Sequence, residues 1–456
     1  MYKKIIESQK KLFSSQKTKS IDFRKKSLIK LLNNINSYEE KIYDSLNKDL
    51  KKHSFEAYLT EVYIIKKEIK LILKNLNNWG KPKRIKSSIL NFPSKDYLIP
   101  EPYGITLHIS PWNYPFQLAI GPMIGAVAAG NTVILKPSEY SINTSKLIEE
   151  IIAKSFTSDH VTVIQGDAQV ASKLLTFRWD YIFFTGSTTV GKIVAKSAAI
   201  NLTPYTLELG GKNPCIVDDS VPIELTAKRI IWGKFLNCGQ TCIAPDYIIA
   251  KSNIFNKLLD SLIKEINKSF SDNSENSNSY GRIINKKHLK RLSKMLIGEK
   301  IVYGGKINLK SKFMEPTIIS NPSLKSTVMK EEIFGPILPI ITFKDEEEID
   351  GIINKHEKPL SFYVFSKRKS FIDKLKKKFS FGGGVVNDTI IQFINERLPF
   401  GGVGHSGLGS YHGKFSFDVF THYKPFVYRT FWFDLWLRYA PFPKKVKLLK
   451  KILNKI

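Results

Sequence analysis

Residues 181–199 read YIFFTGSTTVGKIVAKSAA. The first five, Tyr181–Thr185, are aromatic or branched and predict a short buried strand. Gly186 follows at once, and a helical pattern runs on through Ala199. A strand that breaks on glycine and re-enters as a helix brings backbone amides and a positive helix end together. That arrangement suits a pyrophosphate. The turn Gly186, Ser187, Thr188, Thr189, Val190, Gly191 lacks the glycine that a GxGxxG fingerprint carries at its third position. Taken alone, it fits a tight turn equally well.

Moving outward, the same unit repeats. Residues 105–110, 132–136 and 161–165 are further short apolar runs, with helical stretches at 142–156 and 170–175. Strand–helix alternation predicts a parallel sheet covered on both faces, with ligands at the carboxyl ends of its strands. Before it, the first 80 residues are helical. Ser37 and Glu40 have capping-box spacing, with Ile42, Tyr43, Leu46 and Leu50 behind them. A second helix carries Leu59, Val62, Ile65, Ile69, Ile72 and Leu76 and stops at Gly80 and Pro82. Residues 83–103 read as an extended arm or hairpin. A second α/β stretch spans 209–395 and contains the polar tract 271–279, expected to be exposed and mobile. Residues 396–425 are rich in Gly and aromatics.

The chain has 456 residues, enough for about three folding units. Hydrophobic residues are 42%, which excludes general disorder. Lys and Arg number 71 against 41 Asp and Glu, a net charge of +30. Such a balance invites a nucleic-acid or membrane reading. The lysines are dispersed rather than gathered in a stripe with stacking aromatics, so no nucleic-acid partner is expected. Three cysteines exclude a disulfide scaffold, and no His stands near them at zinc-ligand spacing, so no metal is expected. The first residues do not read as a secretory signal, and no run spans a bilayer. A reducing cytoplasm is the expected location.

Several stretches could carry chemistry. Cys242 lies in Gly239-Gln240-Thr241-Cys242, a Gly-flanked loop beside polar groups, and is the best nucleophile candidate. Cys215 sits in an apolar strand and reads as a packed thiol. Cys238 reads as a buried small residue or, less simply, a redox partner. Glu208 is flanked by leucines in Leu207-Glu208-Leu209-Gly210-Gly211. A partly buried carboxyl there is a candidate general base, or it points to solvent from one strand face. Asn113, in Trp112-Asn113-Tyr114-Pro115, can steady an oxyanion or simply make a turn. Lys136 and Glu139, around Pro137-Ser138, could hold ribose hydroxyls, or the segment could be a helix cap. Glu332 and Phe334 form an acid-plus-aromatic loop, or a charged turn.

In order, the stretches WNYP at 112–115, KPSE at 136–139, FTGS at 184–187, LELGGKNP at 207–214, GQTCIAPDY at 239–247, EEIFGPILP at 331–339 and LPFGGVGHSGLGSYHGK at 398–414 resemble the NAD(P)-dependent aldehyde dehydrogenase superfamily. IPEPYG at 99–104, APDY after the cysteine and LRYAPF at 437–442 look closest to its class 3, or fatty-aldehyde, branch. The similarity covers nearly the whole chain.

The resemblance implies an α/β fold: a Rossmann-like parallel-sheet cofactor domain (1–82 and 104–208, with the N-terminal helices), an α/β catalytic domain (209–395), a β oligomerisation arm (83–103 and 396–425) and a C-terminal amphipathic tail (426–456). It implies Cys242 as nucleophile, Asn113 with the Cys242 backbone N–H as oxyanion hole, and Glu208 as base. Glu332 and Phe334 would hold the nicotinamide ribose and ring, Lys136 and Glu139 the adenosine ribose, and residues 186–191 the phosphates. The implied activity is oxidation of an aldehyde, medium- or long-chain aliphatic or aromatic, to the acid. It would run through a Cys thiohemiacetal and thioester, with NAD or NADP, in a homodimer. The competing readings are a catalytically dead relative and a basic nucleic-acid binder. Aromatic residues Tyr63, Trp232 and Phe393 could line the substrate funnel or simply pack.

Two features depart from the pattern. The tract 271–279 matches no family feature, and the tail carries no membrane span. Residues 444–456 place Val446, Leu449, Leu453 and Ile456 on one helical side among lysines. That side would touch an anionic membrane surface or lie beside the substrate entrance.

Overall fold

The computed structural model describes residues 2–434, 438–442 and 446–454. Three larger sheets organise the described residues, beside a small two-stranded one that pairs Ile307–Asn308 with Phe313–Met314. The first has six strands in the order Gly407–Leu408, Tyr205–Glu208, Tyr181–Thr185, Ile105–Ile109, Thr132–Lys136, Val161–Val163. All pairs are parallel except the first. The chain starts at the central strand Ile105–Ile109, fills one side, then returns to build the other. The order therefore reverses between Ile105–Ile109 and Tyr181–Thr185, and a crevice opens at their carboxyl ends.

One face of this sheet is covered by the helix Pro115–Ala129, buried along its entire length, and by Ile21–Ser37, Glu39–Leu50 and Tyr63–Trp79. Ile42, Leu46, Ile65, Ile69, Ile72 and Leu76 enter that core at helical spacing, as the periodicity predicts. Leu59 does not. The chain makes a π-turn over Tyr58–Val62, whose extra residue breaks the helical phase and leaves Leu59 outside the core. Nor is there a capping box at Ser37. The preceding helix runs through that residue, and its hydroxyl bonds back to the Asn33 carbonyl.

The second sheet has seven strands in the order Ile301–Tyr303, Thr317–Ser320, Ile337–Phe343, Tyr247–Lys251, Pro214–Val217, Ser361–Phe365, Gly383–Val386. Only the edge strand Ile301–Tyr303 is antiparallel. Cys215 is buried in its middle. The polar tract 271–279 is bonded to its surroundings instead of hanging free. Ser274 is buried, the Glu275 carboxylate accepts from Asn308 and Ser311, and its carbonyl accepts from Arg282 and Lys51.

The third sheet is the arm: Lys83–Ile85, Ser94–Pro102 and Thr421–Arg429, with nine residue pairs between the last two. This redraws the arm expected over 83–103 and 396–425. Residues 407–408 pair with Tyr205–Glu208 in the cofactor sheet, and Lys414–Val419 packs on the buried helix Pro115–Ala129. Strand Thr421–Arg429 continues past residue 425 and, among the described residues, borders only one neighbour. Of the tail, Val446–Leu453 is helical, with Val446, Leu449 and Leu453 exposed. Lys444 and Ile456 lie outside the described residues.

Candidate active site

Cys242 sits in a loop held from several sides. The helix Ile223–Phe235 ends, and Asn237, Cys238 and Gly239 then all adopt left-handed backbone, with φ of 52°, 57° and 74°. Two consecutive non-glycine residues in this region are strained. Gly239 also has no room for a Cβ, which would overlap the Gly335 carbonyl. The turn persists because its polar groups are paired. The Asn237 N–H donates to Glu56 Oε1 (3.0 Å) and its amide to the Asn113 carbonyl (2.7 Å). Gln240 donates to the Asn237 and Arg282 carbonyls and accepts from the Ile284 N–H. The Cys242 carbonyl accepts from Asn213 Nδ2 at 2.7 Å.

Asn113 follows the carboxyl end of Ile105–Ile109 and is buried. Its amide donates to the Gln240 carbonyl (3.1 Å), two residues before the sulfur, and keeps a second N–H for a ligand. Glu208 ends strand Tyr205–Glu208. It is 3% exposed, and neither carboxyl oxygen has a partner. Burial therefore holds this carboxyl well above the usual range. Solvent exposure, the alternative left open by its sequence, is excluded.

The Cys242 thiol is pushed up to about 12, by burial first and then by the charges of Glu332 and Glu208. The backbone N–H groups of Cys242 and Ile243 oppose the shift. The sulfur thus rests as a neutral thiol between two carboxyls, not in the electropositive niche that usually makes a reactive cysteine. Cys238, four residues away, is buried and also pushed up to about 12 by that burial.

Glu332 is half-buried and raised to about 8, by burial and then by Asp246. The Gly211 N–H, Arg291 and Lys212 pull the other way. The carboxylate lies so close over Gly210 that a Cβ there would overlap it. This contact joins the loop 331–335 of one sheet to the segment 207–211 of the other. Phe334 has φ 49° and meets Trp112 edge-on at 5.3 Å. Three residues not singled out by the sequence hold this loop. Lys212 and Asp246 form a buried ion pair, Asp246 accepts the Ile333 N–H, and Asn213 ties Cys242 and Ala244 to Ser361. Their only signal was position inside the motifs 207–214 and 239–247.

At the switch point, Ser187 caps the helix Thr188–Ile200 by accepting from Val190 N–H. Other N–H groups of that first turn lack partners within the helix, and Ser187, Thr189 and Val190 are exposed. An anion can approach there. Lys136 and Glu139 pair with each other at 2.7 Å at the end of Thr132–Lys136. Ser138 caps no helix. It closes a turn onto the Tyr140 N–H, and the next helix starts at Ile142. An open crevice at strand ends, a free helix N-terminus, glycine at 210 and an acid on each ribose side fit a dinucleotide.

On the opposite side of Cys242 lies a cavity of about 460 Å³. Tyr63, Trp232 and Phe393 all line it, with Phe55, Leu59, Ile394 and Cys242 itself. Among the described residues, no cluster of His, Cys, Asp and Glu could hold a metal.

The model of the aldehyde dehydrogenase family matches residues 1–426. The chain is 44% identical to the 4,4'-diaponeurosporen-aldehyde dehydrogenase of Staphylococcus aureus, over 97% of this chain and 96% of that one. It is 43% identical to the aldehyde dehydrogenase family 3 member A2 of Pongo abelii, over 91% and 85%. Among solved structures, the substrate-bound state of the Staphylococcus aureus AldH superposes with a TM-score of 0.97 at 43% identity, covering 99% of both chains.

Proposed function

Because the chain belongs to the aldehyde dehydrogenase family, we propose that Cys242, Asn113 and Glu208 perform that family's reaction here. The enzyme oxidises an aldehyde to its carboxylic acid with NAD or NADP. The observation that carries the assignment is that Cys242 lines a largely apolar cavity, with an amide N–H to spare on Asn113 and a Glu208 carboxyl that has no hydrogen-bond partner among the described residues.

Cys242 Sγ adds to the aldehyde carbon, and the thiol proton must leave as the bond forms. That proton passes to solvent, so the sulfur attacks as the thiolate. The new oxyanion lies between Asn113 Nδ2 and the Cys242 N–H, donors already fixed before the charge develops. The nicotinamide, when bound, supplies the two-electron acceptor. Cys242 then holds a thioester. Glu208, in its carboxylate form, removes a proton from water, whose oxygen adds to the thioester carbon. The acid leaves and the sulfur regains its proton. Glu332 and Phe334 hold the nicotinamide ribose and ring, residues 186–191 the phosphates, and Lys136 and Glu139 the adenosine ribose. Glu139 repels a 2′-phosphate, whereas Lys136 attracts one, so the pair accommodates both cofactors.

Glu208→Gln tests the assignment. It should give one rapid equivalent of NADH and then turnover lowered by about a hundredfold or more, since deacylation lacks its base. Normal steady-state turnover would remove Glu208 from the role.

The apolar, aromatic cavity supports medium- and long-chain aliphatic or aromatic aldehydes as substrates. The free edge of Thr421–Arg429 supports a homodimer built on the arm, because an unpaired edge is a ready site for strand pairing. For a cytoplasmic enzyme, peripheral membrane contact is supported by the exposed Val446, Leu449 and Leu453 among Lys447, Lys450 and Lys451. Sedimentation of the full chain and of a form lacking residues 445–456, with and without anionic vesicles, checks both. A monomer sinks the arm dimer, and equal vesicle binding by the two forms sinks the tail contact.

A further inference from the structure

Two charged side chains outside the catalytic trio are more deeply buried than any of its members. Lys52 is 1% exposed and Glu61 is 0% exposed, and their charged ends meet at 2.5 Å. A buried ion pair is weak evidence for stability, since desolving both charges offsets most of their attraction. The remaining bonds of this pair converge on the catalytic loop.

Glu61 reaches this place through the π-turn Tyr58–Val62. Its second oxygen accepts from the N–H groups of Phe116 (2.8 Å) and Gln117 (3.2 Å). These are orphan donors at the start of the buried helix Pro115–Ala129, whose own sequence offers no capping side chain. The Glu61 carboxylate therefore fixes the chain within three residues of Asn113. Lys52, for its part, holds its ammonium 4.3 Å over the Tyr114 ring, within cation–π range. The Tyr114 hydroxyl bonds Thr241 Oγ1 at 2.7 Å, next to Cys242. Burial raises the Glu56 carboxyl, the charge of Lys52 opposes that shift, and Glu56 Oε1 takes the Asn237 N–H on the left-handed turn. The Asn237 amide then returns to the Asn113 carbonyl.

We propose that Lys52, Glu61 and Tyr114 are positioning residues that set the two halves of the oxyanion hole, Asn113 and the Cys242 N–H, at their working separation. The pair holds the segment carrying one donor, and the bonds Tyr114–Thr241, Glu56–Asn237 and Asn237–Asn113 join that side to the segment carrying the other. The inference rests on Asn113 and the Cys242 N–H being that hole.

The test is a mutant cycle on the full-length enzyme with saturating cofactor, reading single-turnover NADH formation, aldehyde KM and cofactor affinity. Tyr114→Phe deletes one hydroxyl. The double variant Lys52→Met/Glu61→Gln removes both charges together, so no lone buried charge remains. Each should slow single-turnover oxidation by about tenfold to a hundredfold, the size expected when donors move by an ångström or less, while aldehyde KM and cofactor affinity hold. Adding Asn113→Ala to either should lower the rate little further, because the amide is already out of place. Full additivity with Asn113→Ala overturns the proposal, as does an unchanged rate in Tyr114→Phe, which decides the matter even if the double variant fails to fold. A normal rate in Asn113→Ala alone would instead remove the oxyanion-hole reading itself.

Discussion

The two sides of Cys242 are made of different material. The cofactor side is built of backbone and small residues: the turn 186–191, Gly210 and Gly211, and a carboxylate lying on Gly210. Its pieces come from strand ends of neighbouring segments. The substrate side is built of large side chains, Phe55, Leu59, Tyr63, Trp232, Phe393 and Ile394, from three separated stretches of chain. A dinucleotide has one shape, so the cleft that takes it can be cut to close tolerance. An apolar tail of an aldehyde asks only for area removed from water. The first side should be intolerant of added atoms, and the second tolerant of their loss.

The sulfur at the boundary provides the largest contrast. With the thiol held up to about 12 by burial and two carboxyls, its ionised fraction grows with pH throughout the neutral range. Alkylation of Cys242 by iodoacetamide in the cofactor-free enzyme should quicken roughly tenfold per pH unit, or about a hundredfold from pH 7 to 9. A flat profile would mean that the sulfur is already an anion at rest.

Next, Gly210→Ala should push the Glu332 carboxylate from its place. Overpacking of this kind costs about 1–3 kcal/mol, roughly 10- to 100-fold in cofactor affinity, with aldehyde KM unchanged. Trp232→Ala should do the converse. Loss of one aromatic wall should raise KM for a long-chain aldehyde by about tenfold, leave a short one alone, and spare cofactor affinity. If both variants moved both constants alike, the division of the site into a backbone side and a side-chain side would fail.

The same division explains what was legible. The strand–glycine–helix run at 181–199 and its companions gave the parallel sheet, because strand period and turn chemistry are local. The resemblance then named Cys242, Glu208, Asn113, Glu332 and Phe334. The N-terminal helices were readable by period until the π-turn at Tyr58–Val62 shifted Leu59. Nothing local announces that turn, since it is stabilised by Glu61 bonding to residues 55 and 56 positions away. Where residues 396–425 pair is not legible for a similar reason. Gly-rich residues 401–409 look extended, but which sheet they join is settled by pairing with Leu207 and Glu208.

From its order of residues alone, this protein was bound to form a parallel α/β sheet with a strand–glycine–helix turn and a loop cysteine, since those depend on neighbours a few positions apart. Only the folded chain decided that two carboxyls act on the sulfur, that Glu208 has no hydrogen-bond partner among the described residues, and that Lys52 and Glu61 pair against the segment 114–117. Burial and charge add up over every segment that comes near, and those segments lie up to hundreds of residues apart along the chain.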